Sequence, residues 1–144
     1  MASDDADTLA DLRIPADPDQ LQRVRKALMS AATGVGFNAE DAGQICLAID
    51  EALANVIKHG YGGACDRPID MCIRRLEDGE RCGIHVSIRD FGRQVDPSDI
   101  CGRDLDDVRP GGLGVHIMRS VMDEVEYERA AEGGMRVAMT KWVR

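Results

Sequence analysis

Apolar and polar positions along this chain switch between two periods, and the switches predict its elements. Residues 9–14 alternate weakly, as an edge strand would. Asp17, Pro18 and Gln20 then make a helix start, with a capping side chain, a proline at the first helical position and a Gln three residues after the cap. Leu21, Val24, Leu28, Ala31 and Val35 follow at helical spacing, and Gly34 and Gly36 end the helix. Asn38, with Asp41 three residues on, opens a second helix. Ile45, Ile49, Ala52, Leu53 and Val56 form its apolar stripe, and it stops near His59-Gly60-Tyr61.

Beyond residue 68 the period becomes two. Ile69, Met71 and Ile73 alternate with Asp70, Cys72 and Arg74, and Ile84, Val86 and Ile88 alternate with His85, Ser87 and Arg89. Asp78-Gly79 between them is a turn signal, so the two runs predict a β-hairpin. Residues 92–112 lose periodicity and predict a long loop or lid. Residues 113–122 return to helix, and 124–129 and 135–143 predict a last hairpin around Glu132-Gly133-Gly134. The order β-α-α-β-β-loop-α-β-β predicts an α+β two-layer sandwich, a mixed, mostly antiparallel sheet covered on one face by helices. Residues 1–8 are expected to be a disordered acidic tail and residues 9–144 one domain, as a chain of 144 residues allows.

Charge narrows the function. The formal net charge is −8, which disfavours nucleic acid and anionic membranes as partners, since both call for clustered Lys and Arg. No signal peptide and no spanning segment are legible, so a cytoplasmic protein is expected. The five cysteines form no C-x-x-C pair and read as free thiols, with structural zinc the weaker reading.

Three constellations carry candidate chemistry. Glu51, Asn55 and His59 are spaced four apart along one side of the second helix, beside its apolar stripe. They are either solvated polar residues or the wall of a pocket, where a carboxylate can act as general base and an amide oxygen can ligate Mg²⁺. Asp90, in Asp90-Phe91-Gly92, continues the inward series of Ile84, Val86 and Ile88. Either a carboxylate ends an apolar strand face and needs a donor such as an adenine amino group, or the strand ends at Arg89 and Asp90 starts a turn. Gly92 would let the backbone approach a base. Pro110-Gly111-Gly112-Leu113-Gly114 precedes the third helix, where free N–H groups can cradle phosphate, or where glycines merely start a helix. No G-K-[ST] follows it, and G-x-G-x-x-G is incomplete, so neither a Walker A nor a Rossmann site is expected. Asp-Phe-Gly does not indicate a eukaryotic-type kinase, because no H-R-D loop or V-A-I-K strand accompanies it.

Taken in order, these segments resemble the N, G1 and G2 boxes of the GHKL ATPase superfamily. The run from Asp50 to Tyr61 resembles its anti-sigma-factor serine kinase branch, and the resemblance extends from about residue 9 to the C-terminus. It implies a Bergerat ATP-binding fold that uses ATP and Mg²⁺, holds a sigma factor or similar regulator, and phosphorylates a serine on a STAS-domain antagonist. It also implies Glu51 as the base, Asn55 as the Mg²⁺ ligand, and Asp90 as acceptor of the adenine amino group beside Gly92. Gly112, Leu113 and Gly114 would contact the nucleotide, the two glycines hinging the lid. His59 is expected to be structural. Homodimers are common in that family and are an expectation here by resemblance. Two positions depart from the pattern: Gln94 replaces the second glycine of D-x-G-x-G, and Met135 stands where a threonine usually follows the glycine. Those departures keep open a non-catalytic nucleotide-binding module acting by sequestration. A histidine-kinase catalytic domain ranks last, since the chain has no dimerisation helix pair with a phospho-acceptor histidine.

Overall fold

The computed structural model describes residues 7–94 and 117–144. Strand β1 (Thr8–Pro15) leads through a 3₁₀ turn (Pro18–Gln20) into α1 (Leu21–Val35), and α2 (Ala39–Asn55) follows. Strands β2 (Pro68–Asp78) and β3 (Arg81–Arg89) form the first hairpin, and β4 (Glu124–Arg129) and β5 (Met135–Trp142) the second. A short helical segment at 117–121 precedes β4. Among the described residues the predicted order of strands and helices is found, with Thr8 already in β1 rather than in a tail; the predicted loop beyond residue 94 and the first residues of the helix expected from 113 lie outside the described residues.

The local signals act as their chemistry requires. The Asp17 carboxylate accepts from the Asp19 N–H at 3.0 Å, and the chain makes a 3₁₀ turn before α1 begins, so Gln20 does not close a capping box. Gly34 lies within α1, and Gly36, at φ 124°, ends it by donating to the carbonyls of Ala32 and Thr33. Asn38 caps α2 by accepting from the Asp41 N–H at 2.8 Å. Gly79, at φ 64°, makes the turn between β2 and β3, with Asp78 opposite Arg81.

The sheet order is β1-β2-β3-β5-β4. Every pairing among the described strands is antiparallel, so "mixed" is corrected: the crossover from β3 brings β5, not β4, beside it, running antiparallel. Ile69, Met71, Ile73, Ile84, Val86, Ile88, Val137 and Met139 are buried with Val24 and Leu28 of α1 and Ile45, Ile49 and Leu53 of α2 in one core. An ion pair between Arg25 and Asp50, 2.6 Å apart, joins α1 to α2. Among the described residues no helix is long and apolar enough to cross a membrane.

Candidate functional site

Helix α2 carries Glu51 and Asn55, both half-buried, one turn apart. The chain then widens into a π-helical turn (Val56–Gly60), closed by the Tyr61 N–H on the Val56 carbonyl at 3.2 Å. A π turn carries more residues per revolution than an α-helix. His59 therefore leaves the line of Glu51 and Asn55, and it is exposed. The same widening delivers Gly60 to Asp90: a Cβ on Gly60 would stand 3.3 Å from Asp90 Oδ2.

Each of the two readings of its segment holds in part: β3 ends at Arg89 and Asp90 opens a turn by accepting from the Gly92 N–H, yet Asp90 is 2% exposed and carries on the inward series of the strand. Its N–H donates to the Met135 carbonyl at 2.9 Å. Its Oδ1 accepts from the Gly92 N–H at 2.9 Å and from the Met135 N–H at 3.2 Å. Burial raises its pKa above the ordinary value, against the pull of those two amides and of the Arg89 and Arg67 charges. Among the described residues both hydrogen bonds to this carboxylate fall on Oδ1. Oδ2, beside Gly60, is left as an acceptor for one further donor, a fit for an exocyclic purine amino group.

Close backbone packing holds the site together. A Cβ on Gly92 would lie 2.2 Å from the Gly60 carbonyl oxygen, and the Arg93 N–H donates to that same oxygen at 2.9 Å. Gly92 is thus required by Gly60. Gly134, at φ 78°, has no room for a Cβ either, since one would lie 2.1 Å from the Asp90 carbonyl oxygen. Three backbone segments therefore meet at Asp90: the end of the α2 extension, the stretch after β3 and the start of β5. Gly60, Gly134 and the Met135 amide escaped the sequence reading. The glycines at 60 and 134 were visible as glycines, but their neighbours were not.

Gln94 turns back, its Nε2 donating to the carbonyls of Ala130 at 2.7 Å and Gly134 at 3.1 Å. The residue that replaces a family glycine thus pins the chain after Gly92 to the β4–β5 turn. Asp90 and Gly92 are brought together with Gly60 of the α2 extension, while Glu51 and Asn55 lie earlier on α2. Gly112, Leu113 and Gly114 lie outside the described residues. Among the described residues no group of three or more His, Cys, Asp or Glu side chains is placed to hold a metal. The cysteines at 46, 65, 72 and 82 are free.

The sequence matches the histidine kinase-like ATPase domain family over residues 14–141, which spans α1, α2, the Asp90 site and nearly all of the sheet. The chain belongs to that family. Among curated relatives, it is 29% identical over 143 residues to the serine-protein kinase RsbW of Bacillus pumilus, covering 94% of this chain and 86% of that protein. It is 29% identical over 141 residues to the RsbW of Listeria monocytogenes serovar 1/2a (92% and 85%), and 27% identical over 142 residues to that of Bacillus subtilis (92% and 84%). Two solved structures share the fold. The SiaB-SiaC complex of Pseudomonas aeruginosa gives a TM-score of 0.66 at 14% identity, covering 94% of this chain and 89% of the matched one. The RsbU and RsbW domains of a Mycobacterium tuberculosis protein give 0.64 at 20% identity; there the match covers 94% of this chain but only 33% of the other.

Proposed function

We propose that this chain is an ATP-dependent serine kinase of the anti-sigma type. It holds a sigma factor or similar regulator and phosphorylates a serine on a STAS-domain antagonist. The observation that carries the reading is the buried Asp90, with Oδ1 held by two backbone amides and Oδ2 beside the end of the helix bearing Glu51 and Asn55. The serine-protein kinase relatives, matched over most of their length, support the same reaction.

In this reading Asp90 accepts from the adenine amino group. Asn55 offers Mg²⁺ its amide oxygen, the other ligands being water and nucleotide phosphates. Bound there, the ion would neutralise charge on the transferring phosphoryl group. Glu51, a turn before Asn55, accepts the proton of the partner's serine hydroxyl. Gly112, Leu113 and Gly114 contact the nucleotide, the two glycines through phosphates. Binding to nucleic acid or to anionic membranes is not part of the proposal, given the net charge of −8. The site of action proposed is the cytoplasm.

The test is transfer of labelled phosphate from ATP, with Mg²⁺, to a purified STAS protein. Glu51→Ala is expected to abolish transfer while ATP binding stays within about twofold of wild type, because the base touches the reacting hydroxyl and not the nucleotide. Normal transfer by that variant would remove Glu51 as the base. Absence of transfer by the wild type, with ATP bound, would favour sequestration alone.

A further inference from the structure

The loop between the α2 extension and β2 carries two side chains with no part in the chemistry above. The Tyr61 hydroxyl donates to the Pro68 carbonyl at 2.5 Å and accepts from the Phe91 N–H at 2.8 Å. The Arg67 guanidinium lies over the Tyr61 ring, 4.8 Å from its centroid, and donates to the Phe91 carbonyl. The two residues thus grip consecutive peptide units. Tyr61 holds the Asp90–Phe91 amide. Arg67 holds the Phe91–Gly92 unit by its oxygen, and the N–H of that unit is one of the two donors on Asp90 Oδ1.

The Phe91 side chain is fixed as well. Its ring lies under Arg89 at 4.6 Å and near Arg13 at 5.8 Å, on the opposite side of the strand from Asp90. Rotation of either peptide would swing the Gly92 N–H away from the carboxylate. Only the Met135 N–H would then orient Oδ1, and the direction of Oδ2 would no longer be defined.

We propose that Tyr61 and Arg67 are positioning residues that clamp the Phe91 backbone and so aim the Asp90 carboxylate at the purine amino group, making this loop a determinant of adenine selectivity. The inference rests on the adenine reading of Asp90 given above. Its contribution is selectivity rather than general affinity, because the clamp acts on the one acceptor that distinguishes an amino purine from its oxo analogue. A site built to hydrogen-bond a substrate group discriminates against an analogue lacking it, and a misdirected acceptor loses that discrimination first.

The experiment measures the dissociation constants of ATP and inosine triphosphate by calorimetry. The proteins are the full chain, Tyr61→Phe and Arg67→Met; the second variant keeps an apolar stem over the Tyr61 ring. Wild type is expected to favour ATP by about tenfold or more, as for a hydrogen bond to a charged group. Each variant is expected to lower that ratio at least about threefold while its inosine triphosphate affinity stays within about twofold of wild type. If wild type shows no preference, the adenine reading of Asp90 falls and the clamp with it. If wild type prefers ATP and both variants keep the ratio, the clamp is overturned while the adenine reading stands. An equal loss of affinity for both nucleotides likewise overturns it and leaves Tyr61 and Arg67 a purely structural role.

Discussion

Met135 and Asp90 exchange hydrogen bonds in both directions: the Asp90 N–H donates to the Met135 carbonyl at 2.9 Å, and the Met135 N–H donates to Asp90 Oδ1 at 3.2 Å. The position where family members usually carry threonine therefore serves the carboxylate through its backbone, with no hydroxyl required. Met135→Thr adds a hydroxyl next to an acceptor already partly satisfied. A gain of about threefold in ATP affinity is expected, below the value of a full charged hydrogen bond. It comes with a stability loss of about 1 kcal/mol from removal of buried Met surface. Titration with a fluorescent ATP analogue and urea unfolding check the two effects, and unchanged affinity removes the side chain at 135 from the account.

Asp90→Asn separates stability from binding. The neutral amide oxygen can still accept from the Gly92 and Met135 amides, and no charge remains buried. Folding stability at neutral pH is expected to be equal or higher. ATP affinity is expected to fall by about tenfold or more, since the amide nitrogen presents a donor to the purine amino group. Wild-type affinity in this variant would show that Asp90 does not contact the base.

The raised pKa of Asp90 gives a signed pH effect. A carboxyl that binds its proton more tightly folded than unfolded stabilises the fold in acid. That contribution is lost as pH rises from the ordinary value of 3.8 through the raised folded value. Asp70 runs the other way, held low by the hydrogen bond and charge of Arg13. In Asp123 burial pushes the pKa up but is outweighed by the Trp142 N–H and Arg144. Both contribute stability above 3.8 that disappears as pH falls through their folded values. The stability of wild type relative to Asp90→Asn should therefore decline with rising pH just above 3.8, as urea unfolding across that range would show. A flat difference would contradict the assignment.

Glycines at two positions should respond oppositely to alanine. At Gly92 the new methyl meets the Gly60 carbonyl oxygen at 2.2 Å, so the backbone contact that joins the α2 extension to Asp90 must open. A loss of about 2 kcal/mol is expected, together with weaker ATP binding. Gly43, in α2, has nothing within 4 Å of such a methyl. Alanine there should stabilise by about 0.5–1 kcal/mol through helix propensity alone. Thermal unfolding of the two variants distinguishes them.

Gln94→Gly releases the carbonyls of Ala130 and Gly134. The side chain is exposed, so a stability change of no more than about 1 kcal/mol is expected. Faster amide hydrogen exchange in the β4–β5 turn is expected, with ATP affinity within about twofold, because neither contact reaches Asp90 Oδ2. Unchanged exchange at residues 130–134 would show that the bridge does not hold the turn.

What the sequence by itself determined was everything set by local period and local chemistry. The caps at Asp17 and Asn38 and the turn at Gly79 follow from side chains acting on backbone a few residues away. The alternation of Ile84, Val86 and Ile88 offered an inward direction for Asp90 as one of two readings, and its burial in the structure selected it. The spacing of Glu51 and Asn55 placed them on one helical side. Tertiary structure alone decided what surrounds Asp90. The insertion of β5 between β3 and β4, the widened turn that carries Gly60 across, and the contacts of Gly60 with Gly92 and of Gly134 with Asp90 are made by backbone atoms. Backbone N–H and C=O groups are the same at every residue, so their long-range partners leave no pattern in the side-chain order. A missing Cβ marks a possible close approach without naming what approaches.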